Sequence, residues 1–180
     1  VIPQPYGNIQ DALDFTAIQE VDTIMVTPGI YTGHIEITSG VNLTSFYSID
    51  PYPGHVSNTI LDRGVVDTPE DSSTGSVIAV LPTDQNRDGE TVISGFTIQN
   101  GLGWEILDSL ITIAENGNEE IELDTMMVGG GIYAENTLVK ITHNLFKNNG
   151  YFTPVNSMNR TASKTSTLEG GGMYIRDDDE

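Results

Sequence analysis

The densest group of metal-binding side chains lies between positions 84 and 90. Asp84, Asn86 and Asp88 alternate with other residues, and Glu90 follows one turn residue later. Ca²⁺ prefers several oxygen ligands, and this spacing matches the first half of an EF-hand-type loop. The pattern departs where the second half would supply a bidentate glutamate, since Gly95 stands there. We therefore predict a Ca²⁺ site formed by the three side chains and the Glu90 carbonyl, with a plain surface turn as the alternative.

Aromatic residues accompany acids, amides and hydroxyls in two long segments. Residues 102–128 are acidic and include Trp104, whereas residues 151–169 are rich in Ser, Thr and Asn and begin with Tyr151 and Phe152. Aromatic rings beside carboxylates and amides suit the binding of sugars. We predict Trp104, Tyr151 and Phe152 as ligand-binding residues, with variable loops that bind nothing as the alternative.

No group of residues typical of an active site stands out. Asp62 and Asp108 are isolated in the sequence, and the histidines His34, His55 and His143 are scattered. There is no Ser/His/Asp pattern and no nucleophile elbow. The sequence therefore predicts no catalytic residue.

The charge of the chain restricts its partners. The 180 residues contain 26 Asp and Glu against 7 Lys and Arg, for a formal net charge of −19. This balance argues against nucleic acids and anionic membrane surfaces, because few basic groups are present to pair with phosphates. No stretch reaches the roughly 20 apolar residues of a membrane span. The chain contains no cysteine.

A glycine-rich phrase occurs twice and indicates how these residues are positioned. Gly129–Tyr133 reads Gly-Gly-Gly-Ile-Tyr, and Gly170–Tyr174 reads Gly-Gly-Gly-Met-Tyr. A similar phrase precedes each, at Phe96–Gly101 and at Phe146–Gly150. Self-similarity of this kind is typical of stacked repeats. Both long segments interrupt the repeat at the same point, so we expect them to leave one edge of a solenoid. We further expect Asn100 and Asn149 to stack at successive corners.

The remaining sequence predicts one helix followed by short strands. Residues 8–19 fit an amphipathic helix with Asn8 as its N-cap, which would cover the first strand edge. Ile35 and Ile37 flank Glu36, and similar alternations continue along the chain. No second helix is predicted after residue 20. The chain reads as one domain over 1–180, with a cap over about 1–22 and an incomplete last repeat at its C-terminal end.

The chain resembles right-handed parallel β-helix proteins of the pectin-lyase-like superfamily. The residues that carry the resemblance are Ile9–Leu13, Asp22–Tyr31, Ile60–Asp62, Val92–Gly101 and the two glycine phrases. The glycine phrases are also similar to repeats of polymorphic outer-membrane adhesins. The resemblance implies an all-β, right-handed parallel β-helix solenoid with a short N-terminal capping helix. It implies no single activity, because the superfamily includes lyases, hydrolases, adhesins and binding modules.

Three functions are compatible with these features. The first is a non-catalytic extracellular or cell-surface domain that binds a polysaccharide or cell-surface glycan, or assembles with copies of itself. The second is a carbohydrate-active enzyme, either a polysaccharide lyase or a glycoside hydrolase. The third is a building block of surface filaments, in which copies of the chain join through the open C-terminal edge. The missing catalytic phrase favours the first and third. We expect no nucleic-acid partner and no membrane insertion.

Overall fold

The chain folds as an all-β parallel solenoid, as predicted. The computed structural model describes residues 6–19, 23–38, 40–64, 75–82, 89–113, 119–150 and 171–176. Within these ranges, twelve strands stack into three four-stranded parallel sheets. Each turn of the solenoid, here called a coil, adds one strand to each sheet, so neighbouring coils are joined through backbone hydrogen bonds.

Four coils follow one another along the chain. Coil 1 contains β1 (Thr23–Val26), β2 (Gly29–Thr32) and β3 (Ile35–Ile37). Coil 2 contains β4 (Asn42–Ser45), β5 (Thr59–Asp62) and β6 (Ile78–Val80). Coil 3 contains β7 (Thr91–Ser94), β8 (Thr97–Gln99) and β11 (Ile132–Glu135), and its last two strands are separated by β9 (Trp104–Ile113) and β10 (Glu119–Val128). Coil 4 contains β12 (Val139–Thr142), β13 (Leu145–Lys147) and β14 (Met173–Arg176).

The sheets are named by their position in each coil. Sheet A is formed by β1, β4, β7 and β12, sheet B by β2, β5, β8 and β13, and sheet C by β3, β6, β11 and β14. The two ten-residue strands β9 and β10 stand apart as an antiparallel hairpin. The sequence predicted an inserted segment over 102–128 but not these two strands.

Apolar side chains stack in the interior at matching positions of successive coils. Leu43 pairs with Ile93 in sheet A, and Leu61 pairs with Ile98 in sheet B. These four side chains are fully buried. Because each coil places an apolar residue on the one below it, the core continues along the solenoid axis, and no coil buries its apolar face alone.

The repeated glycine phrases lie side by side, which explains why the sequence repeats. Ile132 pairs with Met173, and Tyr133 pairs with Tyr174 with ring centroids 6.0 Å apart and nearly parallel. A Cβ atom added to Gly130 would lie only 2.6 Å from the backbone nitrogen of Gly150. Glycine is required there because the segments leaving sheet B and entering sheet C approach each other through bare backbone.

The predicted stacking of Asn100 on Asn149 is wrong by one residue. Gln99 pairs with Lys147 in sheet B, so Asn148 is the residue equivalent to Asn100. Both have positive φ, 64° at Asn100 and 52° at Asn148. Asparagine adopts this left-handed conformation more readily than most residues and turns the chain at the corner. The sequence phrase was aligned on its glycines, which lie just beyond the paired strands.

The helices lie at the start of the chain and within coil 2. Helix α1 (Ile9–Gln19) follows Asn8, whose Oδ1 accepts a hydrogen bond from the Asp11 amide at 2.7 Å, as expected for an N-cap. A 3₁₀-helix, η1 (Phe46–Ser48), and a short helix, α2 (Pro53–Asn58), follow strand β4. The expectation of no further helix was wrong because six residues are too few to show helical periodicity.

Candidate functional site

The outer face of sheet B presents a row of polar side chains, here called the polar row. The strand register aligns equivalent positions of the four coils, and these residues are Thr32, Asp62, Gln99 and Lys147. Neighbouring residues of the row are about 4.8 Å apart, the usual distance between strands in a sheet. The row therefore offers hydrogen-bonding groups at regular intervals along the solenoid axis.

Asp62 is held in this row by three hydrogen bonds. Its carboxylate accepts hydrogen bonds from Gln99 Nε2 at 2.7 Å, from Asn100 Nδ2 at 2.9 Å and from the Gly64 amide at 2.8 Å. Burial alone would raise the pKa of the Asp62 carboxyl, but these three hydrogen bonds outweigh burial and lower the pKa below its ordinary 3.8. At neutral pH Asp62 is an ionised acceptor and has no proton to donate.

His34 lies at the corner where sheet B leads to sheet C. Its Nδ1 donates a hydrogen bond to the Ser76 carbonyl at 2.8 Å, which fixes the tautomer because a carbonyl only accepts. Burial is the main cause that lowers the pKa of His34 below its ordinary 6.5, and the nearby Arg63 contributes. A neutral, hydrogen-bonded imidazole joins coils 1 and 2 at this corner.

A second group of residues lies in the insertion between β4 and β5. Residues 46–58, here called the aromatic loop, carry η1 and α2. The rings of Tyr52 and His55 meet edge to face at 5.7 Å, and the ring of Phe46 lies 6.2 Å from His55. Tyr47 packs against His143 of coil 4 at 5.0 Å. The loop therefore gathers aromatic rings on the outside of the solenoid.

Tyr52 is held in an exposed position beside an imidazole and a carboxylate. The residue is 62% exposed, and the adjacent His55 contacts the Asp50 carboxylate at 3.3 Å. A Cβ atom at residue 54 would overlap the Tyr52 ring, so Gly54 allows the ring to fold over the backbone. A rigid aromatic face next to a carboxylate is an arrangement suited to a polar ligand with an apolar face.

The aromatic loop borders the same sheet face as the polar row. Thr97 of β8 donates a hydrogen bond from Oγ1 to the Val56 carbonyl of α2 at 2.9 Å. Gln99 lies two residues further along the same strand on the same face. The loop and the polar row are therefore separated by about 7 Å of strand.

The long inserted segments begin and end at the opposite border of this face. Gly101 and Gly150, which precede them, are joined by a hydrogen bond from the Gly150 amide to the Gly101 carbonyl at 2.8 Å. After the segments, the Gly131 amide donates to the Gly171 carbonyl at 3.3 Å. The anchor points of residues 102–128 and 151–169 thus lie in adjacent coils at one corner.

The structure describes few of the ligand-binding and metal-binding residues predicted from the sequence. Trp104 begins strand β9, and its side chain lies outside the described part, as do the side chains of the rest of the hairpin up to residue 127. Glu90 is exposed just before β7. The other predicted residues lie outside the described residues altogether, namely Asp84, Asn86, Asp88, Tyr151 and Phe152. Those predictions stay open.

Sequence reasoning missed both groups that the structure brings forward. Asp62 appeared isolated because its partners Gln99 and Asn100 come one coil later in the chain. The aromatic loop has a local signal that could have found it. Three aromatic residues occur within residues 46–52, followed by Pro53 and Gly54.

In the described ranges, no three His, Cys, Asp or Glu side chains come together as a metal site. Among the helices in those ranges, none is long and apolar enough to cross a membrane. No protein-family model, no curated protein and no solved structure matches this chain.

Proposed function

We propose that this chain is a non-catalytic domain of an extracellular or cell-surface protein, and that it binds polysaccharide on the outer face of sheet B. The observation that carries the proposal is the exposed Tyr52 ring beside Asp50 and His55, at the border of a face that also carries the polar row. A sugar ring stacks its apolar face on an aromatic side chain while its hydroxyls bond to carboxylates and amides. A regular row of such groups suits an extended chain of sugars.

We further propose that the solenoid is a right-handed parallel β-helix of the pectin-lyase-like type, with α1 as its N-terminal cap. Three parallel sheets with one strand per coil support this proposal. The contacts of α1 support the cap, because Ile9 and Leu13 join the hydrophobic core and Gln10 bonds to the backbone of β3 at Glu36.

Trp104, Tyr151 and Phe152 belong to the same proposal as further ligand-binding residues. The segments that carry them are anchored at Gly101 and Gly150, at the border of sheet B that lies opposite the aromatic loop. Aromatic residues at both borders of sheet B would contact a polysaccharide that lies across the polar row.

A catalytic role for the polar row is less well supported. Glycoside hydrolysis requires a carboxylic acid that still carries its proton at the working pH, together with a second carboxylate. The lowered pKa of Asp62 and its three hydrogen-bond donors oppose the role of acid. We therefore place binding ahead of hydrolysis and of lyase chemistry.

Binding to a panel of neutral, acidic and amino-sugar polysaccharides tests the proposal. Affinity electrophoresis should show retardation in at least one gel. Tyr52→Ala should weaken that interaction about tenfold, because an aromatic stacking contact is lost. Tyr6→Ala is the matched control, since Tyr6 is exposed but contacts Phe15 of α1 instead of the aromatic loop.

Two results would contradict the proposal. One is the absence of retardation by every polysaccharide in the panel, and the other is an equal effect of both tyrosine substitutions. New reducing ends or unsaturated products during the incubation would favour the carbohydrate-active enzyme instead.

We also propose that copies of the chain assemble through coil 4. Among the described residues its strands pair on one side only, and Leu145, Met173 and Ile175 are 42%, 43% and 50% exposed. Unpaired strand edges with apolar side chains favour the addition of another strand. Sedimentation over a concentration series should show linear oligomers that Leu145→Lys reduces, and a concentration-independent monomer would exclude assembly.

A further inference from the structure

Two Asn-Gly pairs of this chain face each other across the contact between coils 3 and 4. They are Asn100-Gly101, which follows β8, and Asn149-Gly150, which follows β13. Asn-Gly is the dipeptide most prone to spontaneous deamidation, because glycine leaves its backbone nitrogen unhindered beside the asparagine side chain. The structure shows what happens to both of these nitrogens.

Each glycine nitrogen donates its hydrogen to the opposite pair. The Gly150 amide donates to the Gly101 carbonyl at 2.8 Å, and the Gly101 amide donates to Asn149 Oδ1 at 3.0 Å. Asn149 Nδ2 in turn donates to the Ile98 carbonyl at 2.9 Å. The Asn100 side chain is held as well, through the hydrogen bond from its Nδ2 to Asp62 at 2.9 Å.

We infer that the contact between coils 3 and 4 keeps Asn149 and Asn100 from deamidating, and that opening of coil 4 makes Asn149 a site of irreversible modification. Both requirements of the reaction are blocked in the closed contact. In each pair the attacking nitrogen is occupied as a hydrogen-bond donor. The amide of Asn149 is fixed at both its oxygen and its nitrogen, and the amide of Asn100 is fixed at its nitrogen.

The reaction itself needs only water. When the contact opens, hydroxide removes the Gly150 amide proton, and the nitrogen forms a bond to Cγ of Asn149. The side-chain amide nitrogen leaves as ammonia, which produces a cyclic imide. Water then opens either imide carbonyl and yields aspartate or isoaspartate at position 149. The net change is the addition of one water and the loss of one ammonia.

The product cannot restore the contact. An aspartate at position 149 has no donor for the Ile98 carbonyl and would place a negatively charged oxygen against it. Isoaspartate also lengthens the backbone by one atom, which shifts Gly150 away from Gly101. If Asn149 deamidates while coil 4 is open, coil 4 can therefore no longer pack on coil 3 as before, and the change is permanent.

A second asparagine offers a way to open the coil without touching the reactive pair. Asn144, at the other end of β13, accepts a hydrogen bond from the Phe96 amide at 2.9 Å and donates to the Ile93 carbonyl at 2.8 Å. Asn144 and Asn149 thus bind coil 3 in the same manner. Removing the first should increase the opening of the coil and leave the chemistry of the second intact.

Peptide mapping by mass spectrometry during a long incubation at neutral pH tests the inference. In the folded chain, deamidation at Asn100 and Asn149 should be at least about tenfold slower than in urea, because opening limits the reaction. Asn116-Gly117, the remaining Asn-Gly pair of the sequence, supplies the reference rate in urea. Asn144→Ala should raise the rate at Asn149 roughly tenfold in the folded chain.

The consequence of deamidation is tested with two substitutions that add the same charge. Asn149→Asp should lose hydrogen-exchange protection in β12 and β13. Asn148→Asp, one residue earlier at an exposed side chain, should keep that protection. Equal deamidation rates in the folded and the urea-unfolded chain, no response to Asn144→Ala, or equal protection in the two aspartate variants would each overturn the inference.

Discussion

At the scale of single residues, two buried threonines of sheet B differ in one hydrogen bond. Thr59 and Thr97 are both almost fully buried. Thr97 Oγ1 donates to the Val56 carbonyl, whereas Thr59 Oγ1 meets no hydrogen-bond partner within the described part of the chain. A buried hydroxyl without a partner keeps its desolvation cost and gains nothing in return.

Valine has nearly the same shape as threonine, so it tests this difference directly. Thr59→Val should raise the free energy of unfolding by about 1 kcal/mol, because it removes an unsatisfied hydroxyl. Thr97→Val should lower it by about 1–2 kcal/mol, because the Val56 carbonyl loses its donor. Urea unfolding of both variants provides the measurement, and a change of the same sign in both would contradict the argument.

Single residues also show why the polar row could not be predicted from the sequence. Asp62 and its partner Gln99 are 37 residues apart and meet only because the strand register aligns them. A search for local spacing finds EF-hand-like groups such as residues 84–90 but not partners from different coils. Tyr52 and Gly54, by contrast, are only two positions apart, so their contact could be predicted from the sequence.

At the scale of elements, the helix α1 uses one side chain as a substitute for a strand. Gln10 Oε1 accepts from the Glu36 amide at 2.9 Å, and Gln10 Nε2 donates to the Glu36 carbonyl at 3.2 Å. These are the two bonds that a neighbouring strand would form with β3, which lies at the edge of sheet C. The side-chain amide thus covers part of an edge that would otherwise attract another chain.

Substitutions of Gln10 separate its two bonds. Gln10→Ala loses both, so hydrogen exchange at the Glu36 amide should become markedly faster. Gln10→Glu keeps the acceptor but loses the donor, which also bonds to Asp14 Oδ1 at 2.9 Å, so the same amide should exchange more slowly than in Gln10→Ala. If exchange at Glu36 is equally slow in wild type and in Gln10→Ala, the edge is covered in another way.

Elements were predictable where a pattern repeats and unpredictable where an insertion alters it. The alternation of Ile35, Glu36 and Ile37 predicted β3 and its buried face correctly. In β8, Thr97 lies between the buried Phe96 and Ile98, yet Thr97 is buried as well because α2 covers it. The hairpin of β9 and β10 interrupts the repeat, so the repeat contains no information about it.

At the scale of the whole molecule, the net charge of −19 opposes compact folding. Like charges repel over the Debye length, which falls from about 30 Å at 0.01 M salt to about 8 Å at 0.15 M. The melting temperature should therefore rise with sodium chloride concentration. This general screening must be separated from any specific binding of Ca²⁺ between residues 84 and 90.

Calcium and magnesium chloride at equal ionic strength make that separation. Both cations screen charge alike, but Mg²⁺ demands a tighter octahedral shell and dehydrates reluctantly, whereas Ca²⁺ accepts a looser set of carboxylate and carbonyl oxygens. If Asp84, Asn86, Asp88 and the Glu90 carbonyl bind Ca²⁺, its chloride should raise the melting temperature above the value in magnesium chloride. Asp88→Ala should abolish this excess and leave the response to sodium chloride unchanged. Identical melting curves in the two divalent salts would contradict a Ca²⁺ site. Residues 84–90 would then form a plain surface turn, and charge screening alone would account for the effect of cations on the melting temperature.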